Sequence, residues 1–357
     1  DLNRRVAGVT TGGVLGEARQ MDIADAVERI CCGGALGGSL PTGNVATLCA
    51  AARERQGGPP ALLAANRLLQ VVRPGDRVVI ATGFHVPGLL PHGETDGPPG
   101  AAALARAVSL GLHARPLLLG EEATLGPIKA ACNAIGLCEE EAMAEPGTGA
   151  SFALEAFPCD ERAEGRAEEL LQWLSPRAIV VIEKPGLNAK GVAHRCGGQS
   201  IEGGRARIEV LVNRARVAGI PTVAVGDRGN ESGMGALADV VRACEPQGRL
   251  CLCPCEGGIA SVDEADIAVV GAVSNWATYG IITCLAMALG EDRLLHDREA
   301  ELRMIEASVR AGAVDGISCD ASFQVDGLPA SVSAEVVEVL RSVVARGTGS
   351  SLRQSCP

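Results

Sequence analysis

One glycine-rich stretch of the sequence, GDRGNESGMG, places three oxygen donors close together: Asp227, Asn230 and Glu231. Carboxylate and amide oxygens are the ligands that hard divalent cations such as Mg²⁺ and Mn²⁺ prefer. Glycine lets the main chain approach a ligand closely, and this stretch has it at Gly226, Gly229, Gly233 and Gly235. The pattern predicts a site for a divalent cation.

A second acidic stretch, GETDGPPG, carries Glu94 and Asp96 just before an apolar run that predicts a helix. Two explanations are open. In the first, the two carboxylates stabilise the N-terminus of that helix through its dipole. In the second, they join the glycine-rich stretch in one cation site. The metal ligands predicted on this second basis are Glu94, Asp96, Asp227 and Glu231.

Groups for acid–base chemistry stand in a third stretch, EKPGLNAKGVAH. Its titratable candidates are Glu183, Lys184 and His194, because a carboxylate, an amine or an imidazole can move a proton during a reaction. A lone histidine is more often structural, but His194 follows a polar turn at a strand end, which favours a role in a site. Ser274 and Asn275, in the stretch SNW, are further polar candidates, with helix capping as the alternative.

Fourteen cysteines are scattered along the 357 residues. A chain of this length needs no disulfides for stability, so we predict a reducing compartment: the cytoplasm, or the mitochondrial matrix if the source is eukaryotic. The run CLCPC holds Cys251, Cys253 and Cys255, and strand alternation would put their sulfurs on one face. Zinc sites usually use Cys-x-x-Cys spacing and a fourth ligand, so a structural role is favoured over a metal site.

The elements that position these residues follow a regular alternation. From residue 74 onward, five short aliphatic runs, each ending at glycine or a polar residue, alternate with helical segments. This predicts an α/β fold with a mostly parallel, doubly wound (Rossmann-like) sheet and helices on both faces. The strand carboxyl ends should share one edge, where the acidic stretches can meet. Helices are predicted at 100–111, 123–136, 199–218, 234–244, 276–290, 297–312 and 331–345.

The same pattern of strands and helices predicts the domain organisation. Residues 1–58 are predicted to be a leader and an N-terminal helical extension, with helices at 17–32 and 45–55. Residues 59–345 form the main α/β domain, and residues 346–357 form a frayed tail.

Composition excludes several classes of protein. A net charge of −11 and an aromatic content of 2% argue against a nucleic-acid partner. No apolar stretch approaches the roughly 20 residues that span a membrane. The sequence has no G-x-x-x-x-G-K-[ST] phosphate loop, and its GGALGG run follows a helix rather than a strand, so no nucleotide cofactor is expected. The absence of a G-x-S-x-G elbow removes a hydrolase nucleophile.

Five motifs in order and at similar spacing resemble the D-glutamate cyclase family. They are PGDRVVIATGF, GETDGPPGAAALARA, IEKPGLNAKG, GIPTVAVGDRGNESGMG and VSNWATYG, and a closing VDGLP adds to them. The resemblance covers roughly residues 60–345 and implies a lyase that cyclises D-glutamate to 5-oxo-D-proline with loss of water. Two departures put substrate identity in question: Arg228 where the family usually has glycine, and Ala277 followed by Thr278 where it usually reads SNWG.

Ring closure sets the roles that the resemblance implies. The amine of the substrate must lose a proton before it attacks the γ-carboxylate, a poor electrophile whose charge a Mg²⁺ or Mn²⁺ ion would offset. His194, Lys184 or Glu183 is the predicted base. The predicted substrate-binding residues are Thr82, Asn188, Lys190, Arg228, Asn230, Ser274, Asn275 and Asp326.

Two other functions remain open from the sequence. The acidic cluster could serve a metal-dependent phosphohydrolase or another small-molecule lyase. Alternatively, the chain could be a non-catalytic domain that binds an amino acid or a nucleotide. In the favoured interpretation the partner is a small molecule, D-glutamate or a related amino acid, and the chain can form a homo-oligomer.

Overall fold

The computed structural model describes residues 17–33, 44–142 and 149–348. The predicted leader, residues 1–16, lies outside these ranges. The helices are α1 (Glu17–Cys31), α2 (Val45–Gln56), α3 (Pro60–Val71), α4 (Pro98–Gly111), α5 (Leu125–Ala134), α6 (Arg162–Leu174), α7 (Ile208–Val217), α8 (Ala238–Cys244), α9 (Ser274–Leu289), α10 (Arg298–Arg310) and α11 (Ala330–Thr348).

A parallel sheet forms the centre of the molecule. Its strands are β1 (Arg77–Thr82), β2 (Arg115–Gly120), β3 (Cys138–Glu139), β4 (Ser151–Ala156), β5 (Ala178–Ile182), β6 (Thr222–Gly226) and β7 (Ile267–Val270), in the order β3-β4-β2-β1-β5-β6-β7. The five predicted strands are β1, β2, β5, β6 and β7. The chain winds outward from β1 to one side and then returns to β5 on the other side, which makes the β1–β5 junction the topological switch point.

Both faces of the sheet are covered, because strand residues alternate between two cores. On β1, Val78 and Ile80 belong to the larger core beneath α3, α4 and α9, whereas Val79 and Ala81 belong to the core beneath α6 and α7. Every residue of β5 is buried. The prediction of a doubly wound α/β fold with helices on both faces and an N-terminal helix is confirmed.

The N-terminal helices pack on the larger core rather than standing apart from it. Val27 of α1 and Leu48 of α2 are fully buried in this core. A disulfide joins Cys32 to Cys49, and this differs from the expectation that no disulfide forms. The predicted boundary between an extension ending at residue 58 and the main domain stays a prediction.

Two other segments differ from the sequence expectations. The helix predicted over 199–218 begins only at Ile208, because residues 199–207 form a loop in which Gly203 and Gly204 have φ angles of 72° and 66°. The last helix extends to Thr348, so residues 346–348 of the predicted tail are helical, and residues 349–357 lie outside the described ranges. None of the helices in the described ranges has the length and apolar character needed to cross a membrane.

A small hairpin precedes the last helix. Strands β8 (Gln324–Val325) and β9 (Leu328–Pro329) pair antiparallel around Asp326 and Gly327, whose φ angles are 53° and 75°. Asp-Gly is the favoured sequence for a two-residue turn with both φ angles positive. The turn therefore explains why Asp326 has a left-handed conformation and projects from the tip of the hairpin.

Candidate active site at the carboxyl edge of the sheet

A cleft at the switch point brings together acids that are far apart in sequence. Glu94 follows β1, Glu183 follows β5, Asp227 follows β6, and Asp326 comes from the hairpin tip; all four line the cleft. We call these four residues the acid cleft. The strand-end argument predicted this convergence for the first three, and it follows from the parallel order of the strands.

Glu183 and Glu94 are held by local backbone features. Glu183 has a φ of 44°, a left-handed conformation that a non-glycine residue adopts at a cost, and such strain often occurs at functional sites. The hydroxyl of Ser274 donates to Oε2 of Glu183 at 2.6 Å. The carboxylate of Glu94 lies against Gly316, where an added Cβ would come within 1.9 Å of Oε2. A side chain at position 316 would force this carboxylate to move.

Unpaired buried polar atoms face this region. Within the described part of the chain, Oδ2 of Asp326, Oδ1 of Asn230 and Oγ1 of Thr82 are buried without a hydrogen-bond partner. Buried polar groups are almost always paired, so unpaired ones beside a cleft indicate a place for a ligand, an ion or water. Asn230 and Asp326 line the cleft itself, whereas Thr82 lies behind Gly97.

Burial and mutual repulsion raise the pKa values of the four carboxyl groups of the acid cleft. Burial raises the pKa of Glu183 well above its usual range, and the charges of Glu231 and Asp227 raise it further. The pKa of Glu94 is also raised well above its usual range, by burial first and then by Asp96. Burial and the neighbouring acids act in the same direction on the pKa of Asp227 and Asp326. Raised carboxyl pKa values suit proton transfer near neutral pH.

Two of the predicted metal ligands are engaged with main-chain amides. Asp96 accepts from the amides of Ser274 and Asn275, each at 2.8 Å, so it caps the N-terminus of α9. Glu231 accepts from the amides of residues 227, 228 and 229 at 2.7–2.9 Å. The geometry thus favours a positioning role for Asp96, whereas the three amides hold the carboxylate of Glu231 in a fixed orientation. The helix-dipole alternative fits Asp96, although the helix is α9 and not the one that follows in sequence.

Two residues of the acid cleft, together with Glu231, still allow a divalent cation to bind. Glu183, Asp227 and Glu231 each offer a carboxylate oxygen, and these oxygens lie within 4.8 Å of one another. Such oxygen donors fit Mg²⁺ or Mn²⁺. This set shares two members with the predicted ligands and replaces Glu94 and Asp96 by Glu183.

Two arginines balance part of the negative charge. Arg195 and Arg228 both line the cleft. Nη2 of Arg195 donates to the carbonyl of Gly316 at 2.7 Å, and its charge lowers the pKa of Glu94 against the stronger effect of burial. Nε of Arg228 lies 3.5 Å from Oδ2 of Asp227. Sequence reasoning included Arg228 but missed Arg195, which directly follows the histidine that drew attention in that stretch.

Lys184 and His194 point away from the cleft. Lys184 is fully buried, with its Nζ paired to Glu121 and donating to the carbonyl of Gly83 at 2.7 Å. Nε2 of His194 faces the sulfur of Cys253 at 3.2 Å. Of the three predicted bases, the geometry places only Glu183 in the cleft, because neighbouring side chains at a strand end point to opposite sides.

Three predicted substrate-binding residues serve other parts of the structure. Asn275 accepts from the amides of Gly97 and Gly100 and clamps the start of α4. Asn188 accepts from the amides of Lys190 and Val192 and organises its own loop. The side chain of Lys190 is exposed. The hydroxyl of Ser274 reaches the cleft through its hydrogen bond to Glu183.

The fold and the cleft define a class: a doubly wound parallel α/β protein with an acidic cleft at the switch point. Residues 50–341 match the model of the family described as D-glutamate cyclase-like, C-terminal, and the chain belongs to that family. The resemblance predicted from the motifs is confirmed.

A curated relative, the mitochondrial D-glutamate cyclase of Homo sapiens, is 28% identical over 296 residues. The match covers 74% of this chain and 45% of the human protein. The chain therefore spans less than half the length of that relative.

Proposed function

We propose that this chain is a lyase that cyclises D-glutamate to 5-oxo-D-proline with loss of water. The observation that carries the proposal is the set of charges in one cleft: the four carboxyl groups of the acid cleft and the guanidinium groups of Arg195 and Arg228. Family membership supports the same chemistry.

The charges match those of glutamate. The substrate has two carboxylates and one ammonium group, and arginine is well suited to bind carboxylates. In the proposal, Arg195 and Arg228 orient the carboxylates while the acid cleft receives the ammonium. Binding both ends of the substrate would fold it so that nitrogen and Cδ approach each other, which supplies much of the rate gain of an intramolecular reaction.

Proton transfer is the central task of the acid cleft. When the C–N bond forms, the ammonium nitrogen loses two protons, one oxygen of the γ-carboxylate gains two, and that oxygen leaves as water. No proton is taken up from the solvent overall. Carboxyl groups with raised pKa values can accept a proton from nitrogen and deliver one to oxygen. We assign Glu183 as the principal base, since its strained backbone and the Ser274 hydroxyl fix its carboxylate.

A divalent cation fits the proposal as an aid to this step. Asp227 and Glu231 would hold it beside Glu183, whose carboxylate stays available as the base. A bound Mg²⁺ or Mn²⁺ ion would offset the negative charge of the γ-carboxylate. The requirement for a cation, the stereochemical preference and the exact amino-acid substrate all belong to the proposal.

The direct test is incubation of the chain with D-glutamate and with L-glutamate, each with and without Mg²⁺ or Mn²⁺, followed by detection of 5-oxoproline. We expect product from D-glutamate. Glu183→Gln should lower kcat/KM by about 10²–10⁴-fold, the usual contribution of a positioned base. Glu202→Gln, an exposed acid in the following loop, is the matched control and should keep full activity.

Two results would contradict the proposal. One is the absence of 5-oxoproline from a folded chain under all four conditions. The other is full activity of the Glu183→Gln variant, which would remove the assigned base. Phosphate release from a panel of phosphate esters, without any 5-oxoproline, would instead support the phosphohydrolase alternative.

A further inference from the structure

A second donor cluster lies outside the acid cleft. Cys251, Cys253, Cys255 and His194 each offer one ligand atom, and these atoms lie within 4.8 Å of one another. We call these four residues the sulfur cluster. Three of them are the sulfurs of the CLCPC run, and the fourth is the histidine that sequence reasoning assigned to catalysis. The proposed reaction uses none of these four residues, either to bind the substrate or to transfer a proton.

The distances in the sulfur cluster fit one tetrahedral ion. The sulfur of Cys251 lies 3.6 Å from that of Cys253 and 3.3 Å from that of Cys255. Nε2 of His194 lies 3.2 Å and 3.6 Å from the sulfurs of Cys253 and Cys255. Zinc bonds of about 2.3 Å to sulfur and about 2.0 Å to nitrogen require tetrahedral edges of roughly 3.8 Å and 3.5 Å. The sulfurs are well beyond the roughly 2.05 Å of a disulfide.

The tautomer of His194 agrees with a metal ligand. Nδ1 lies 3.1 Å from the carbonyl of Val192, and since a carbonyl only accepts, Nδ1 carries the proton. In the neutral ring, Nε2 then has its lone pair directed at the sulfurs. A metal-binding histidine typically donates its other ring N–H to a carbonyl or carboxylate in this way.

The surroundings of Cys255 suit a thiolate. The side-chain amide of Asn188 and the main-chain amide of Gly257 both approach its sulfur at 3.4 Å. These donors would partly neutralise a negative sulfur that is bonded to a cation. Asn188 also donates to the carbonyl of Gly258 at 2.7 Å, which fixes its amide in this orientation.

We propose that His194, Cys251, Cys253 and Cys255 bind a single Zn²⁺ ion in a closed, four-coordinate structural site. Three thiols and one imidazole in a tetrahedron select zinc over the oxygen-seeking Mg²⁺ and Mn²⁺. Binding forms three Zn–S bonds and one Zn–N bond and releases the three thiol protons, without any change of oxidation state. A full set of protein ligands leaves no open position for a substrate.

The zinc site would fix the loop that carries a cleft residue. Arg195, which lines the acid cleft, directly follows His194. Asn230 of the cleft donates to the carbonyl of His194 at 3.0 Å. The ion thus ties the segment of Cys251–Cys255 to the loop after β5 and holds Arg195 in place. The inference does not depend on the proposed cyclase activity.

The experiment is metal analysis and X-ray absorption at the zinc edge, on the untagged chain after loading with equimolar Zn²⁺ and gel filtration. We expect one zinc per chain with three sulfur neighbours at about 2.3 Å and one nitrogen at about 2.0 Å. Cys253→Ser should lose the zinc. Cys159→Ser, which removes an exposed free cysteine outside the cluster, should keep it.

The X-ray absorption spectrum of the unmodified chain tests the zinc site even if the Cys253→Ser variant does not fold. Chain without zinc, iron in place of zinc, or zinc surrounded only by oxygen and nitrogen would each overturn the proposal. Retention of sulfur-bound zinc by a folded Cys253→Ser variant would also overturn the assigned ligand set.

Discussion

The acid cleft and the sulfur cluster share one loop but differ in almost every other respect. The acid cleft collects its members from three strand ends and a hairpin, so its assembly depends on the whole sheet. The sulfur cluster takes three ligands from one short run and a single histidine 59 residues before Cys253. One site presents hard oxygen donors and the other soft sulfur donors, and such donors prefer different cations.

The loop after β5 contributes residues to both the acid cleft and the sulfur cluster. Glu183 begins the loop in the acid cleft, and His194 lies further along it in the sulfur cluster. Repelling carboxylates store unfavourable energy that chemistry can use, whereas a closed metal site adds stability. We therefore expect changes on the acid side to affect turnover and changes on the sulfur side to affect stability.

The largest effect is expected on the acid side. Asp227→Asn removes one of the mutually repelling carboxylates and a donor for the cation, so kcat/KM should fall by about 10²–10³-fold. Stability should stay the same or rise, because strained functional sites are commonly relieved by such changes. Initial rates of 5-oxoproline formation and thermal unfolding measure the two quantities. An Asp227→Asn variant with a lower unfolding temperature and normal turnover would contradict the expected difference between the acid cleft and the sulfur cluster.

A smaller effect on turnover, with a clear loss of stability, is expected on the sulfur side. Cys255→Ser should lower the free energy of unfolding by about 2–4 kcal/mol, which lowers the unfolding temperature by roughly 3–5 °C for a chain of this size. At low temperature kcat/KM should stay within tenfold of the unmodified chain. Denaturation curves and initial rates, with Cys138→Ser as the exposed control, test this. An unchanged free energy of unfolding in Cys255→Ser would contradict the expected stabilising role of the sulfur cluster.

The smallest effect is expected on the pH dependence of the free energy of unfolding. Burial raises the pKa of Asp96 to about 6 in the folded chain, against a usual value of 3.8, while the amides of Asn275 and Ser274 act in the opposite direction. The folded state holds the extra proton between these values, so the free energy of unfolding should fall as pH rises through this window, by about 1–3 kcal/mol in total.

Asp96→Asn should flatten that slope in denaturation curves recorded with a chelator present. Asp239→Asn is the matched control, because a hydrogen bond from Arg55 lowers the pKa of Asp239 to about 2. The stability that Asp239 contributes is present above pH 3.8 and is lost as pH falls towards 2. Its removal should leave the slope between pH 4 and pH 6 unchanged. The four residues of the acid cleft add a slope of the same sign, so the assignment of Asp96 would be contradicted by an Asp96→Asn variant whose slope equals that of the unmodified chain.

Much of the fold could be predicted because buried parallel strands read as continuous aliphatic runs. β5, with the sequence AIVVI, is such a run, and its position fixed where Glu183 would lie. The strand β4, SFALEA, was missed because only Phe152 and Ala153 are buried and Glu155 lies within it. Helix α6 was also missed. Two of its three buried residues are alanines, which mark an apolar face less clearly than larger side chains do.

The candidate site was predictable to the level of strand ends and not to the level of side-chain direction. Adjacent Glu183 and Lys184 carry similar signals in sequence, yet the first faces the cleft and the second is buried against Glu121. The partner of a buried charge is known only once distant segments have packed. For the same reason His194 could not be matched to the CLCPC run, since 59 residues separate it from Cys253.

The hairpin turn at Asp326 has a consequence for biosynthesis. A ribosome delivers the strand ends at residues 94, 183 and 227 well before it delivers the turn, and domains generally fold as the chain emerges. The nascent chain can thus form the entire parallel sheet while the acid cleft still lacks Asp326. The cleft would be complete only after the hairpin has left the ribosome and docked.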